Sequence, residues 1–146
     1  MRFGDVLAGG FKGLVVLRAL YAVLLCAGTI SYRLGLGAPF PIEENIAVVL
    51  MTMPAWYFSI WAVFVTFYAA AALLLLLRSS LTLPVYAAAF ATDFLLSLYW
   101  FQQPAMERAY SGNANLVEWS LNAIDLTVIA ILLLTGRFLT GPAVRR

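Results

Sequence analysis

The chain has 146 residues, 64% hydrophobic and 11% charged, with a formal net charge of +2 and a mean hydropathy of +0.93. That balance excludes an ordinary soluble domain, and the basic residues form no dense patch suited to nucleic acid. Histidine is absent and Cys26 is the single cysteine, which excludes an internal disulfide and removes the commonest ligand for zinc, haem or chlorophyll-type pigments.

Residues 1 to 12 (MRFGDVLAGGFK) read as a short glycine-bearing lead-in carrying Arg2 and Lys12. The apolar segment over residues 13 to 32 exceeds the about 7 to 15 residues of a signal-peptide core, and Arg18 interrupts it, so it is expected to stay as a helix. A glycine and proline break follows. Pro41 then suits the first turn of a helix, Glu43 and Glu44 suit its positive end, and IAVVLMTM supplies an apolar face. The spacing predicts a short amphipathic helix over residues 41 to 52, lying at the outer membrane surface.

A hydrocarbon core ~30 Å thick needs about 20 helical residues. Residues 54 to 77 and 83 to 102 each supply that length, and the connection between them holds only Arg78, Ser79, Ser80 and a few neighbours, which dictates an antiparallel hairpin. Thr82 and Pro84 fit a helix start. After the polar stretch QQPAMERAYSGNAN, a last span over residues 116 to 136 opens on Asn115 and Glu118 at capping spacing and meets Gly136 and Arg137 at its end. Fold class is therefore all-α: an integral membrane four-helix bundle in a single domain.

An even number of spans puts both termini on one side. If that side is cytoplasmic, Arg2, Lys12, Arg78, Arg137, Arg145 and Arg146 lie inside and only Arg33 and Arg108 outside, as the positive-inside rule demands. Tyr32, Trp56, Trp100 and Trp119 would form the outer aromatic belt. The expected location is a bacterial inner membrane, crossed four times.

On the second span Ala55, Ser59, Ala62, Thr66 and Ala69 recur at the seam spacing of a helix pair, so this small-residue face is expected to meet neighbouring helices. Opposite them Tyr57, Trp61, Phe64 and Tyr68 line up as an aromatic row, either a lipid-facing wall or a docking face for another protein or for an isoprenoid or pigment tail. Ionisable groups at the centre of a membrane helix cost about 2.5 to 3.5 kcal/mol each on insertion scales, so Arg18, Asp93 and Asp125 require partners. Arg18 is expected to pair with Asp93, and Asp125 to be satisfied by Asn122, Tyr21 or water, or to be protonated. Glu118, Asn122 and Asp125 share one arc of the last span, and the apolar Ile129 and Leu132 continue it, which suggests a wet notch closed beneath. The embedded charges can lock helix packing, form a cation or proton site in that notch, or contact a partner subunit.

No nucleophile with a base, phosphate-binding loop or metal-spaced cluster stands out, so no catalytic or metal-ligating residue is assigned and an enzyme is not expected. PAW, a later tryptophan, a small-residue run, LLLLR and LPV, preceded by PIEENIAVVLMTM, resemble the small four-helix bacterial membrane proteins labelled sugar transporters; Pro54, Ala55, Trp56, Arg78 and Pro84 fall in matching places. LRALYAVLLCAGTISYRLG, with Arg18 and Arg33 about a glycine-containing helix, bears a fainter resemblance to the DoxX-type membrane proteins, one of which is a small subunit of a terminal quinol oxidase. The acidic residue usual in that family's second helix has no counterpart here.

The functional expectation is a non-catalytic accessory or stabilising subunit of a larger inner-membrane assembly of respiratory or photosynthetic type. The alternative is a small-solute or cation transporter working as a homo-oligomer. Partners would be membrane lipids and other integral membrane subunits. No cofactor is expected from this chain alone, though lipid, quinone or pigment tails would find room against it.

Overall fold

The computed structural model describes residues 3–103 and 114–140, and within them the side chains of 6–44, 46–103 and 116–135. The described residues form five helices and no strands: α1 (Phe3–Arg33), α2 (Glu44–Thr52), α3 (Ala55–Leu76), α4 (Thr82–Phe101) and α5 (Ala114–Thr140). Four of these, all but α2, are long and apolar enough to cross a membrane, consistent with a multi-pass membrane protein. The expectations for the loop around Pro104 and Arg108, for Arg2 and for the basic tail lie outside the described residues.

Several boundaries differ from those read in the sequence. Residues 3 to 12 continue α1 because Gly4, Gly9 and Gly10 tolerate helical dihedrals and nothing in the stretch forbids them. Pro41 precedes α2 by three residues, outside its first turn. Asn115 lies within α5 and so is no cap, and Gly136 does not stop that helix, which runs to Thr140.

The turns are closed by backbone chemistry. At the end of α1, Gly35 N–H donates to Tyr32 O and Leu36 N–H to Ser31 O, both 3.0 Å, with Gly35 at φ 75°. This is the Schellman arrangement, and glycine suits its left-handed residue. The α3–α4 hairpin uses the same pattern: Arg78 N–H donates to Leu75 O and Ser79 N–H to Leu74 O, with Arg78 at φ 57°. Ser79 then shapes the turn ahead of α4, its hydroxyl accepting from Leu81 N–H and its carbonyl from the Thr82 hydroxyl.

α3 packs against both α1 and α4, and α4 against α5. Ring contacts tie the start of α3 to the end of α4: Tyr57 stacks on Trp100 at 5.8 Å, and Trp56 meets Tyr99 edge-on at 5.0 Å. At the same end, Arg33 donates to Met53 O at 2.6 Å and lies 4.4 Å above the Phe58 ring. Its guanidinium thereby satisfies a carbonyl beyond α2, which would otherwise lack a donor, and pins α2 across the end of the bundle. Tyr32, Trp56, Trp100 and Trp119 also gather at this end.

The face of α3 turned inward is the aromatic one, and this corrects the expectation of an outer wall. Tyr57, Phe64 and Tyr68 are buried and Trp61 is half-buried, while of the small-residue row Ala55, Ser59 and Thr66 are exposed and Ala62 and Ala69 half-buried. Both rows have the same spacing, so periodicity alone left the choice open. Packing resolves it: α1 contributes the small side chains Ala19, Ala22 and Cys26 to the core and α4 contributes Ala89, so the space facing them is filled by rings from α3.

Candidate functional site

Half-way along the bundle, one guanidinium meets two carboxylates. Arg18 on α1 donates from Nε to Asp125 Oδ1 at 3.1 Å and from Nη2 to Asp125 Oδ2 at 2.8 Å, a bidentate pair with α5. The same Nη2 donates to Asp93 Oδ2 on α4 at 2.9 Å. Arg18 thus joins three helices, and its long stem covers the difference in height between them. Its Cζ also lies 4.6 Å from the centroid of the Tyr68 ring.

Asp125 has no solvent exposure. Besides Arg18 it accepts from the Tyr68 hydroxyl at 2.8 Å and from the Tyr86 hydroxyl at 2.5 Å, so both its oxygens are saturated. This corrects the expected partners: Asn122 turns its amide to Glu118 O, a carbonyl of its own helix, and Tyr21 is exposed. Sequence reasoning missed Tyr86 and read Tyr68 as an outward ring. For Tyr68 a signal was present, because a phenol deep in an apolar helix needs a hydrogen-bond partner and Tyr68 lies well inside its span; Tyr86, one turn from the start of α4, gave none.

Asp93 is placed differently. Its side chain keeps 18% exposure, and its contacts with Arg18 and Tyr68 both use Oδ2. The Tyr68 hydroxyl has one proton, and the shorter contact, to Asp125, takes it; the 3.3 Å approach to Asp93 is the weaker one. One turn along α4, Ser97 donates its hydroxyl to Glu118 Oε1 on α5. Glu118 is therefore held by another helix and does not serve as an N-cap.

Asp93, Ser97, Glu118 and Asn122 are the polar side chains of α4 and α5 that line a cavity of about 380 Å³, which reaches from Arg18 to residues 40 to 50 about α2. Apolar lining comes from α3 and α4, with Tyr57, Trp61, Phe64, Leu96 and Trp100. Phe40, Ile42, Ile46 and Leu50 roof it. Gly28 is what lets the roof close: a Cβ there would collide with the Phe40 ring. On α1 and α5, Tyr21 and Val117 line the cavity at 42% and 51% exposure, so it is open along the seam between those helices.

The predicted buried polar cluster is thus divided by the fold. Arg18, Asp93 and Asp125 come together; Asn122 lines the cavity without touching them. Of the aromatic row, Tyr57, Trp61 and Phe64 line the cavity and Tyr68 reaches the ion cluster. An apolar pocket of this volume with a few convergent polar groups has the form of a small-molecule site. No family model, curated protein or solved structure matches this chain.

Proposed function

We propose that this chain is a membrane-embedded binding protein for a small amphipathic solute, acting as a small-solute carrier in a bacterial inner membrane. The observation that carries the reading is the cavity of about 380 Å³ between the helices, lined by aromatic and apolar side chains with a few polar and charged ones among them. Its opening between α1 and α5 suits a solute that arrives through the lipid. The distribution of basic residues supports cytoplasmic termini, which would place α2 and the cavity roof on the outer side.

A homo-oligomer fits this reading, because the row Ala55, Ser59 and Thr66 on α3 is exposed and its small side chains permit another membrane helix to approach closely. The same row supports the second reading, an accessory subunit of a larger assembly. Purification in mild detergent followed by native mass spectrometry separates them: a self-dimer supports the carrier, and stoichiometric foreign subunits support the accessory role. For the carrier itself, Leu121→Trp is expected to fill the cavity and abolish solute-induced quenching of tryptophan fluorescence while leaving the fold intact. Unchanged quenching would refute the cavity as the site.

A further inference from the structure

The charges around the cavity are unequal, and the inequality specifies what it would hold. Arg18, Glu43, Asp93 and Glu118 are its ionisable charged side chains, one basic against three acidic. The single cation is largely neutralised, since Arg18 Nε and Nη2 are paired in bidentate fashion to Asp125 and Nη2 also bonds Asp93, which leaves Nη1 as its one nitrogen without a carboxylate.

The carboxylates retain free capacity. Among the described residues, every donor to Asp93 reaches Oδ2, and the donor to Glu118 reaches Oε1. Asp93 Oδ1 and Glu118 Oε2 therefore accept from no group among the described residues. Neither is a sealed and unsatisfied atom, because no buried side-chain nitrogen or oxygen lacks a partner among the described residues; both face accessible space. Ser97, one helical turn from Asp93, holds the Glu118 carboxylate, so both carboxylates line the same cavity.

The same cavity is lined by the rings of Tyr57, Trp61 and Phe64 from α3 and Trp100 from α4. Ring faces attract a cation through their quadrupole and also accept an apolar body, and the interaction strengthens where water is scarce. An anion would meet excess negative charge, and an uncharged solute would leave that charge without a counter-charge. We propose that the cavity binds an organic monocation, an alkyl- or aryl-substituted ammonium, with its charge against Glu118 and Asp93 and its apolar part against Trp61 and Phe64. This identification deepens the carrier reading and depends on the cavity being a binding site.

The test uses the full chain in lipid nanodiscs and three probes of matched size: benzyltrimethylammonium, its uncharged carbon isostere neopentylbenzene, and the anion phenylacetate. Binding is followed by tryptophan fluorescence and by calorimetry. The cation is expected to bind at least tenfold more tightly than either other probe. Glu118→Gln is expected to remove that preference while leaving neopentylbenzene affinity and the thermal unfolding midpoint unchanged. Should Glu118→Gln fold poorly, Trp61→Leu supplies the second measurement and is expected to weaken the cation more than the isostere. If neopentylbenzene or phenylacetate binds as well as the cation, the cationic assignment is overturned and the cavity stands as a binding site. If no probe binds, both inferences fall.

Discussion

Two carboxylates on neighbouring helices face the same guanidinium and have different fates. Asp125 is sealed, with both oxygens saturated by Arg18, Tyr68 and Tyr86. Asp93 lines the cavity above it, with one oxygen bonded and the other open. An embedded charge whose every lone pair is used explains itself as architecture, because it holds helices together and has nothing left to offer. One whose capacity is half used is where a ligand can act. The division follows the bundle axis: saturated polar chemistry at the floor, unsaturated polar chemistry above it.

The largest effect should come from breaking the floor. Arg18→Met leaves two carboxylates facing each other without a cation, and removing one partner of a buried ion pair costs about 3 to 5 kcal/mol. Chemical or thermal unfolding in detergent should show a loss of that order. Combining it with Asp125→Leu removes the orphaned charge and should restore a large part of the stability, since a buried pair is often replaceable by well-packed apolar side chains. A double variant no better than Arg18→Met would mean that the helices need the ion pair itself.

Tyr86→Phe comes next. It deletes one hydroxyl that donates to a charged acceptor and creates no large cavity, and a hydrogen bond to a charged group contributes about 1.5 to 3 kcal/mol. A destabilisation in that range is expected from the unfolding midpoint, without loss of ligand binding, because Tyr86 lies below the cavity. Altered binding in Tyr86→Phe would join the floor to the site and blur the distinction between them.

Much of this was legible in the sequence, for physical reasons. Span length is set by hydrocarbon thickness, so the four long helices follow from apolar runs, and the cost of an embedded charge already required Arg18, Asp93 and Asp125 to find partners. Their pairing was only half legible. Arg18 was expected on Asp93, but depth counting at 1.5 Å per residue does not report helix rotation, and rotation is what sends its bidentate edge to Asp125. The α3 face was not legible at all from its own period, because the small and aromatic rows repeat identically. It depends on Ala19, Ala22 and Ala89 on other helices, which is information carried by packing. Helix ends also escaped: Arg78 occupies a left-handed position where glycine is usual, and only the backbone bonds of the turn reveal it.

The smallest effect, and the sharpest discriminator, is Asp93→Asn. The substitution preserves an oxygen acceptor for Arg18 Nη2, and the guanidinium keeps its bonds to Asp125. It also removes one of two negative charges that face a single positive one, which relieves repulsion within the cluster. These contributions oppose each other, so stability should change by no more than about 1 kcal/mol, far less than for a sealed charge. Asp125→Asn cannot escape in this way, because its amide nitrogen must face either Arg18 or a tyrosine hydroxyl with no room to turn away. The paired measurement is unfolding of the two variants under one set of conditions. Equal destabilisation would show that Asp93 is as structural as Asp125 and would leave it without capacity to spare for a ligand.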